Sequence, residues 1–275
     1  MLIGALSPAQ EPAPAAPAAA PATASAPDVD AIVAAANRIG YYQGKDGRAQ
    51  VHMSIVDAQG REREREMTIL RRDMAPAGDA DADDAFAGEQ RFYVRFHRPA
   101  DVDGTTFLVW KKPGEDDDRW LYLPALDLVK RISSADKRSS FVGSQFYYED
   151  VSGRHVAADE HRLVETSKTY HVVESVPRDK ASVEFASYKM WIHRQSHVVV
   201  KVEYRDTEGE VYRTYEALAV KEIQGHPTVT KARMSDLRTK GTTTVTYADV
   251  TYDIGLPEDI FTERYLRRAP RQYMK

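Results

Sequence analysis

A chain of 275 residues, 42% apolar and 29% charged, is long enough for one large domain or two small ones and can bury a sizeable core. Its net charge of −4, from 38 basic and 42 acidic residues interspersed along the chain, gives no ground for nucleic acid or an anionic membrane surface as partner. The lack of cysteine excludes disulfides, thiolate metal sites, a cysteine nucleophile and an acylated N-terminal cysteine.

The first residues, MLIGALSPAQ, look like the tail of an apolar export signal ending near Ser7-Pro8-Ala9, without the basic segment that opens such signals. The Pro/Ala stretch EPAPAAPAAAPATASAP follows and reads as a stiff, disordered tether, so 1–27 is set apart from one folded domain over 28–275. Nothing later approaches the roughly 20 apolar residues of a membrane span. An exported, soluble protein is expected, with a cytoplasmic one as the alternative.

The folded part opens with a helix: Asp28 can cap it, and Val29, Ile32, Val33, Ala36 and Ile39 form one stripe that Gly40 can end. From Ala49 the period switches to two, with Val51, Met53 and Ile55 on one face and a turn at Asp57-Ala58-Gln59-Gly60. In the next strand, REREREMTIL, neither Arg61, Arg63 and Arg65 nor Glu62, Glu64 and Glu66 can be buried unpaired, so that half is expected to project into water. An acidic Ala/Gly/Asp loop over 73–89 leads to RFYVRFH and TTFLVWK, which place Phe92, Val94, Phe96, Phe107 and Val109 on single faces. Trp120-Leu121-Tyr122-Leu123 is apolar on both faces if extended, which requires cover on each side.

The segment SSADKRSSFVGSQFYYEDV alternates poorly; Gly143 breaks it, and Ser144 can cap a short helix carrying Phe146, Tyr147 and Val151. Strand patterns then resume in TYHVVESV, SYKMWIH, VVVKVEY, VYRTYEALAV, TVTKARMSD and TTTVTYADVTY, joined by hairpin-length turns. A last helix is expected over 257–265, with Leu256, Ile260, Phe261 and Tyr265 docking inward. The fold class is mainly β: a long antiparallel meander, curled because about ten strands seldom stay flat and open, with short helices as a lid.

Residues 118–151, with WLYLP, KRI, FVGS-x-F and Glu149-Asp150, resemble the signature stretch of the LolA-like outer-membrane lipoprotein-sorting family, and GLPEDIFTERYL is similar to the way those domains end. The resemblance spans about 28–266. It implies a periplasmic domain whose unclosed antiparallel half barrel, plugged by helices, receives acyl chains, and it implies a branch that accompanies inner-membrane RND-type exporters. The characterised carrier's cavity arginine has no assignable position here, so cargo and hand-off do not carry over. The lack of an N-terminal cysteine argues against the membrane-anchored version.

On this reading the cavity wall comprises Phe92, Val94, Phe96, Phe107, Val109, Tyr188, Met190, Ile192, Val200, Val202, Met234 and Tyr247, and the lid Ile32, Val33, Phe141 and Phe146. Alternating apolar residues form packed core at least as often as they line a cavity. No catalytic residue, metal or cofactor is expected, the partner is a lipid or acylated protein, and the chain is read as a monomer. His193 and His197 span a turn, and His155 and His161 flank Asp159 and Glu160 in a solvated loop, so neither pair is a metal site. Glu149 and Asp150 are expected to cap or to pair with Lys130 or Arg131, and the doublets Lys130-Arg131 and Lys137-Arg138 to form a solvated face, with phosphate head groups or a partner surface as the alternative. Two other classes stay open: a lipid hydrolase, with Ser140 or Ser144 as nucleophile but no G-x-S-x-G elbow, and a β-rich interaction module with a packed interior.

Overall fold

The computed structural model describes residues 27–74 and 89–274. The export-signal remnant, nearly all of the Pro/Ala tether and most of the acidic loop lie outside them.

Helix α1 (Val29–Tyr41) forms where the stripe predicts it: the Asp28 carboxylate accepts from the backbone N–H of Asp30 and Ala31, and Ile32, Val33 and Ala36 are its buried side chains. The helix runs through Gly40 to end at Tyr41. Two antiparallel meanders follow. The first is β1 (Asp46–Val56), β2 (Glu62–Asp73), β3 (Gln90–Arg98), β4 (Thr106–Lys111), β5 (Asp118–Leu123) and β6 (Leu128–Ile132). The second is β7 (Asp159–Thr166), β8 (Tyr170–Pro177), β9 (Ser187–His193), β10 (Val199–Arg205), β11 (Val211–Ile223), β12 (His226–Asp236) and β13 (Gly241–Tyr252).

Pairing of β1 with β13, for example Met53 opposite Val245, fuses the meanders into one 13-stranded sheet. Its edges are β6 and β7, which do not pair, so the curled sheet stays an unclosed barrel. Strand β7 falls where the sequence reads as a loop. As an edge strand it carries Glu160, Arg162 and Glu165 toward solvent, and those charges blur the alternation that marks interior strands.

The two-faced segment Trp120-Leu121 is covered on both sides. Leu121 joins the core of one face with Val51, Met67, Phe96 and Phe107. Trp120 packs on the other with Leu70, Tyr93 and Leu108 under Leu256, Ile260, Phe261 and Leu266. The C-terminal segment, a 3-10 turn (Glu258–Phe261) followed by α3 (Arg264–Arg267), therefore backs the sheet rather than docking inward as the sequence suggests. In REREREMTIL the exposed half behaves as expected except for Arg65, which is buried, donates to the Glu64 carbonyl at 2.9 Å and lies 3.9 Å from Asp101.

Residues between β6 and β7, including α2 (Tyr148–Ser152), plug part of the inner face. The Asp150 carboxylate, not Ser144, accepts from the N–H at the head of α2, that of Tyr147, at 2.7 Å. Phe141 and Tyr148 stack against Phe96 and Phe107 with ring centroids 5.2–5.7 Å apart, which makes this half of the barrel a solid aromatic core.

Candidate functional site

The rest of the inner face is not filled. A cavity of about 430 Å3 lies between α1, the plug and the strands β1–β3 and β9–β13, within the roughly 300–1,000 Å3 of pockets that engulf a small molecule. Its wall is mostly aliphatic and aromatic, with Val51, Met53, Met67, Ile69, Val199, Val229, Val245 and Val250 joining residues read from the sequence.

Of those readings, Phe92, Val94, Tyr188, Met190, Val202, Met234 and Tyr247 border the cavity, as do Val33, Phe141 and Phe146 of the lid set. Phe96, Phe107 and Val109 share the face but lie fully buried in the core that contains Phe141 and Tyr148. Ile192 and Ile32 pack together with Val173 beneath α1 and pin the helix rather than border space. Val200 is displaced by a bulge: register against β9 slips between Val199 and Lys201, so Val199 and Val202 take the cavity side that strict alternation gives to Val200.

Sequence reasoning misses the polar end of the cavity. Arg138, Asp150 and Arg154 border it, and behind them lies a buried ion network. Arg213, fully buried, pairs with Asp150 and donates to the Gln145 carbonyl at 2.9 Å while stacking on Tyr147 at 4.0 Å. Arg138 donates to Glu149 at 3.1 Å and to Glu184 at 2.6 and 3.0 Å. Arg154 holds Asp159 at 2.8–3.0 Å and reaches Glu149 at 3.3 Å. Glu149 and Asp150 thus pair with Arg138, Arg154 and Arg213, not with Lys130 or Arg131, and Arg138 is not a solvated charge. The carboxylates come from the plug, the start of β7 and the segment before β9, the arginines from the plug and β11, so only the folded sheet assembles them.

The histidines read as solvated are also anchored here: His155 Nε2 lies 2.8 Å from Asp117 Oδ1, and His161 Nδ1 2.8 Å from Ser175 Oγ. Among the described residues no group of three or more His, Asp or Glu can hold a metal ion. Ser140 and Ser144, the candidate nucleophiles, donate to the Ser144 and Phe141 carbonyls at 2.7 Å. No helix among the described residues is long and apolar enough to cross a membrane. Gly153, ending α2 at φ 78°, lets the Tyr41 ring lie against the backbone; a Cβ there would sit 2.5 Å from Tyr41 Cζ.

The network gives the fold an acid limit. Burial by itself would raise the Glu184 carboxyl, but hydrogen bonds and charge from Arg138 outweigh it and hold the group below its ordinary 4.5. A carboxylate depressed in the folded state contributes stability that is complete above the unfolded value and is lost as pH falls through the folded one. Thermal unfolding between about pH 5 and pH 3 should show Tm falling, and a Glu184→Gln variant should show a shallower fall. Equal slopes would remove Glu184 from the acid response.

A family model described as "-like: Uncharacterized protein" matches residues 88–268. No curated protein matches. Among solved structures, a DUF1329 family protein from Desulfovibrio piger superposes with a TM-score of 0.75 at 26% identity, covering 86% of this chain and 98% of that one. An outer membrane lipoprotein-sorting protein domain from Vibrio parahaemolyticus gives 0.75 at 27%, covering 87% and 98%. A LolA superfamily protein from Nitrosomonas europaea, 19% identical, shares the fold with a TM-score of 0.65 over 87% of this chain and 100% of its own. With its signature stretch folded as the plug of an unclosed half barrel, the chain belongs to the LolA-like family.

Proposed function

We propose that this protein is a periplasmic carrier that takes up the acyl chains of a lipid or lipidated protein in the inner-face cavity and releases them toward the outer membrane. The observation that carries the reading is the apolar cavity roofed by α1 and the plug on the inner face of an otherwise solid half barrel. Each buried methylene contributes about 0.8 kcal/mol, so a few acyl carbons suffice to hold a chain there without a catalytic group.

Helix α1 suits a lid. Its buried side chains are Ile32, Val33 and Ala36, with Val29 packed beside them, while Arg71 and Gln90 donate to the Tyr41 carbonyl at its end; at about 1.5–3 kcal/mol per fully buried aliphatic the body of the helix is held by a few kcal/mol, a difference a bound chain can shift. The carrier acts as a monomer and receives cargo from an inner-membrane RND-type exporter. Two measurements on the purified protein test the proposal. Mass spectrometry of an organic extract is expected to show an acylated species, and a fluorescent fatty acid is expected to bind one to one. A clean extract with no uptake would leave the packed interaction module as the better reading.

A further inference from the structure

Six tyrosines border the cavity, and four of them come from separate elements as one group: Tyr41 at the end of α1, Tyr204 on β10, Tyr215 on β11 and Tyr247 on β13. These four are half-buried. Among the described residues none of their hydroxyls has a hydrogen-bond partner, whereas the neighbouring phenols do: Tyr188 donates to Asp159 at 2.7 Å, Tyr212 to Glu184 at 2.9 Å, and Tyr252 pairs with the Thr228 hydroxyl at 2.8 Å. A hydroxyl that meets apolar surroundings without a partner is costly, so these four phenols gain from a ligand that supplies one. The four also form one neighbourhood. Burial pushes the Tyr41 phenol well up, and the charge of Asp150 and the other three phenols add to it. The Tyr215 phenol is raised by burial and then by Tyr247 and Tyr204.

Resting on the carrier reading, we infer that the cavity is built for a neutral lipid bearing ester or hydroxyl oxygens, which hydrogen-bond to the phenols of Tyr41, Tyr204, Tyr215 and Tyr247 while its chains lie along the aliphatic wall. Phenols donate and accept without charge, so they match carbonyl and hydroxyl oxygens and leave an all-hydrocarbon ligand with unmet donors. An anionic head group is disfavoured at the polar end because three of the arginines that border the cavity already hold carboxylates there: Arg71 with Asp73, Arg138 with Glu149 and Glu184, Arg154 with Asp159. A further anion would meet Asp150 in a dry site.

The test is displacement of a fluorescent fatty acid by 1,2-dioctanoylglycerol, by dioctanoyl phosphatidylglycerol and by hexadecane, with wild type and with the Tyr215→Phe/Tyr247→Phe pair, which keeps both rings. Wild type is expected to prefer the glyceride over the other two. The double variant is expected to lower the glyceride-to-hexadecane preference roughly tenfold, with Tyr204→Phe giving a smaller loss in the same direction. An unchanged preference in the variants, or tighter binding of phosphatidylglycerol than of the glyceride by wild type, would overturn the inference and leave the carrier reading standing. Failure of wild type to bind any of the probes, the fluorescent fatty acid included, would overturn both.

Discussion

Arg213→Leu is expected to destabilise the fold by about 3–5 kcal/mol, the range for removing one partner of a buried ion pair. Arg213 is 0% exposed, its carboxylate partner is Asp150, and its guanidinium is sandwiched by Tyr147 at 4.0 Å and Tyr204 at 5.0 Å. Without it, Asp150 keeps the Tyr147 N–H and a 3.7 Å contact to Arg138 but loses the charge that β11 supplies. For a domain of this size the loss corresponds to a Tm lower by roughly 6–20 °C. Adding Asp150→Asn removes the orphaned charge and keeps an oxygen for the Tyr147 N–H, so the double variant should recover part of the loss. Urea unfolding gives the comparison. A single-variant cost below about 1 kcal/mol would mean the pair is screened like a surface bridge.

This pair also marks where sequence reading stops. Asp150 and Arg213 are far apart in the chain, and nothing local to either predicts the other; β11 must be paired in register before they meet. The Glu149-Asp150 doublet therefore reads as a cap or a surface pair from sequence, and only the cap survives in the structure. Strand identity, by contrast, is legible wherever one face is buried. Phe92, Val94 and Phe96 alternate because each lies on the inner face of β3, and Trp120-Leu121 announces two covers because it has them. Alternation gives the face but not what occupies it. Val94 and Phe96 cannot be separated this way: Val94 borders open space and Phe96 meets the Phe141 ring at 5.7 Å, a difference set by where the plug lands.

Two further losses have the same origin. The bulge that trades Val200 for Val199 is a backbone event with no side-chain signature in VVVKVEY. The edge strand β7 hides because charged residues protect an edge. The joining of β1 to β13, which turns two meanders into one curled wall, is a long-range pairing that hairpin logic does not reach.

Val229→Trp is expected to block loading while sparing the fold. Val229 borders the cavity from β12 and is only partly buried, so an added indole has free volume to enter rather than a packed neighbour to displace. If the indole keeps roughly four methylenes of a bound chain in water, at about 0.8 kcal/mol each, affinity falls by about 3 kcal/mol, or roughly 200-fold in Kd. Phe107→Ala supplies the opposite pattern. Phe107 is 0% exposed and stacks on Phe141 and Tyr148 at 5.4 and 5.2 Å, away from the cavity, so its truncation should cost about 3–5 kcal/mol of stability with a much smaller change in Kd for the folded protein. Titrating both variants with the fluorescent fatty acid and following their thermal unfolding separates the two effects. Wild-type affinity in a folded Val229→Trp protein would place the acyl chain outside this cavity, and loss of binding in Phe107→Ala alone would move the site to the aromatic half of the barrel.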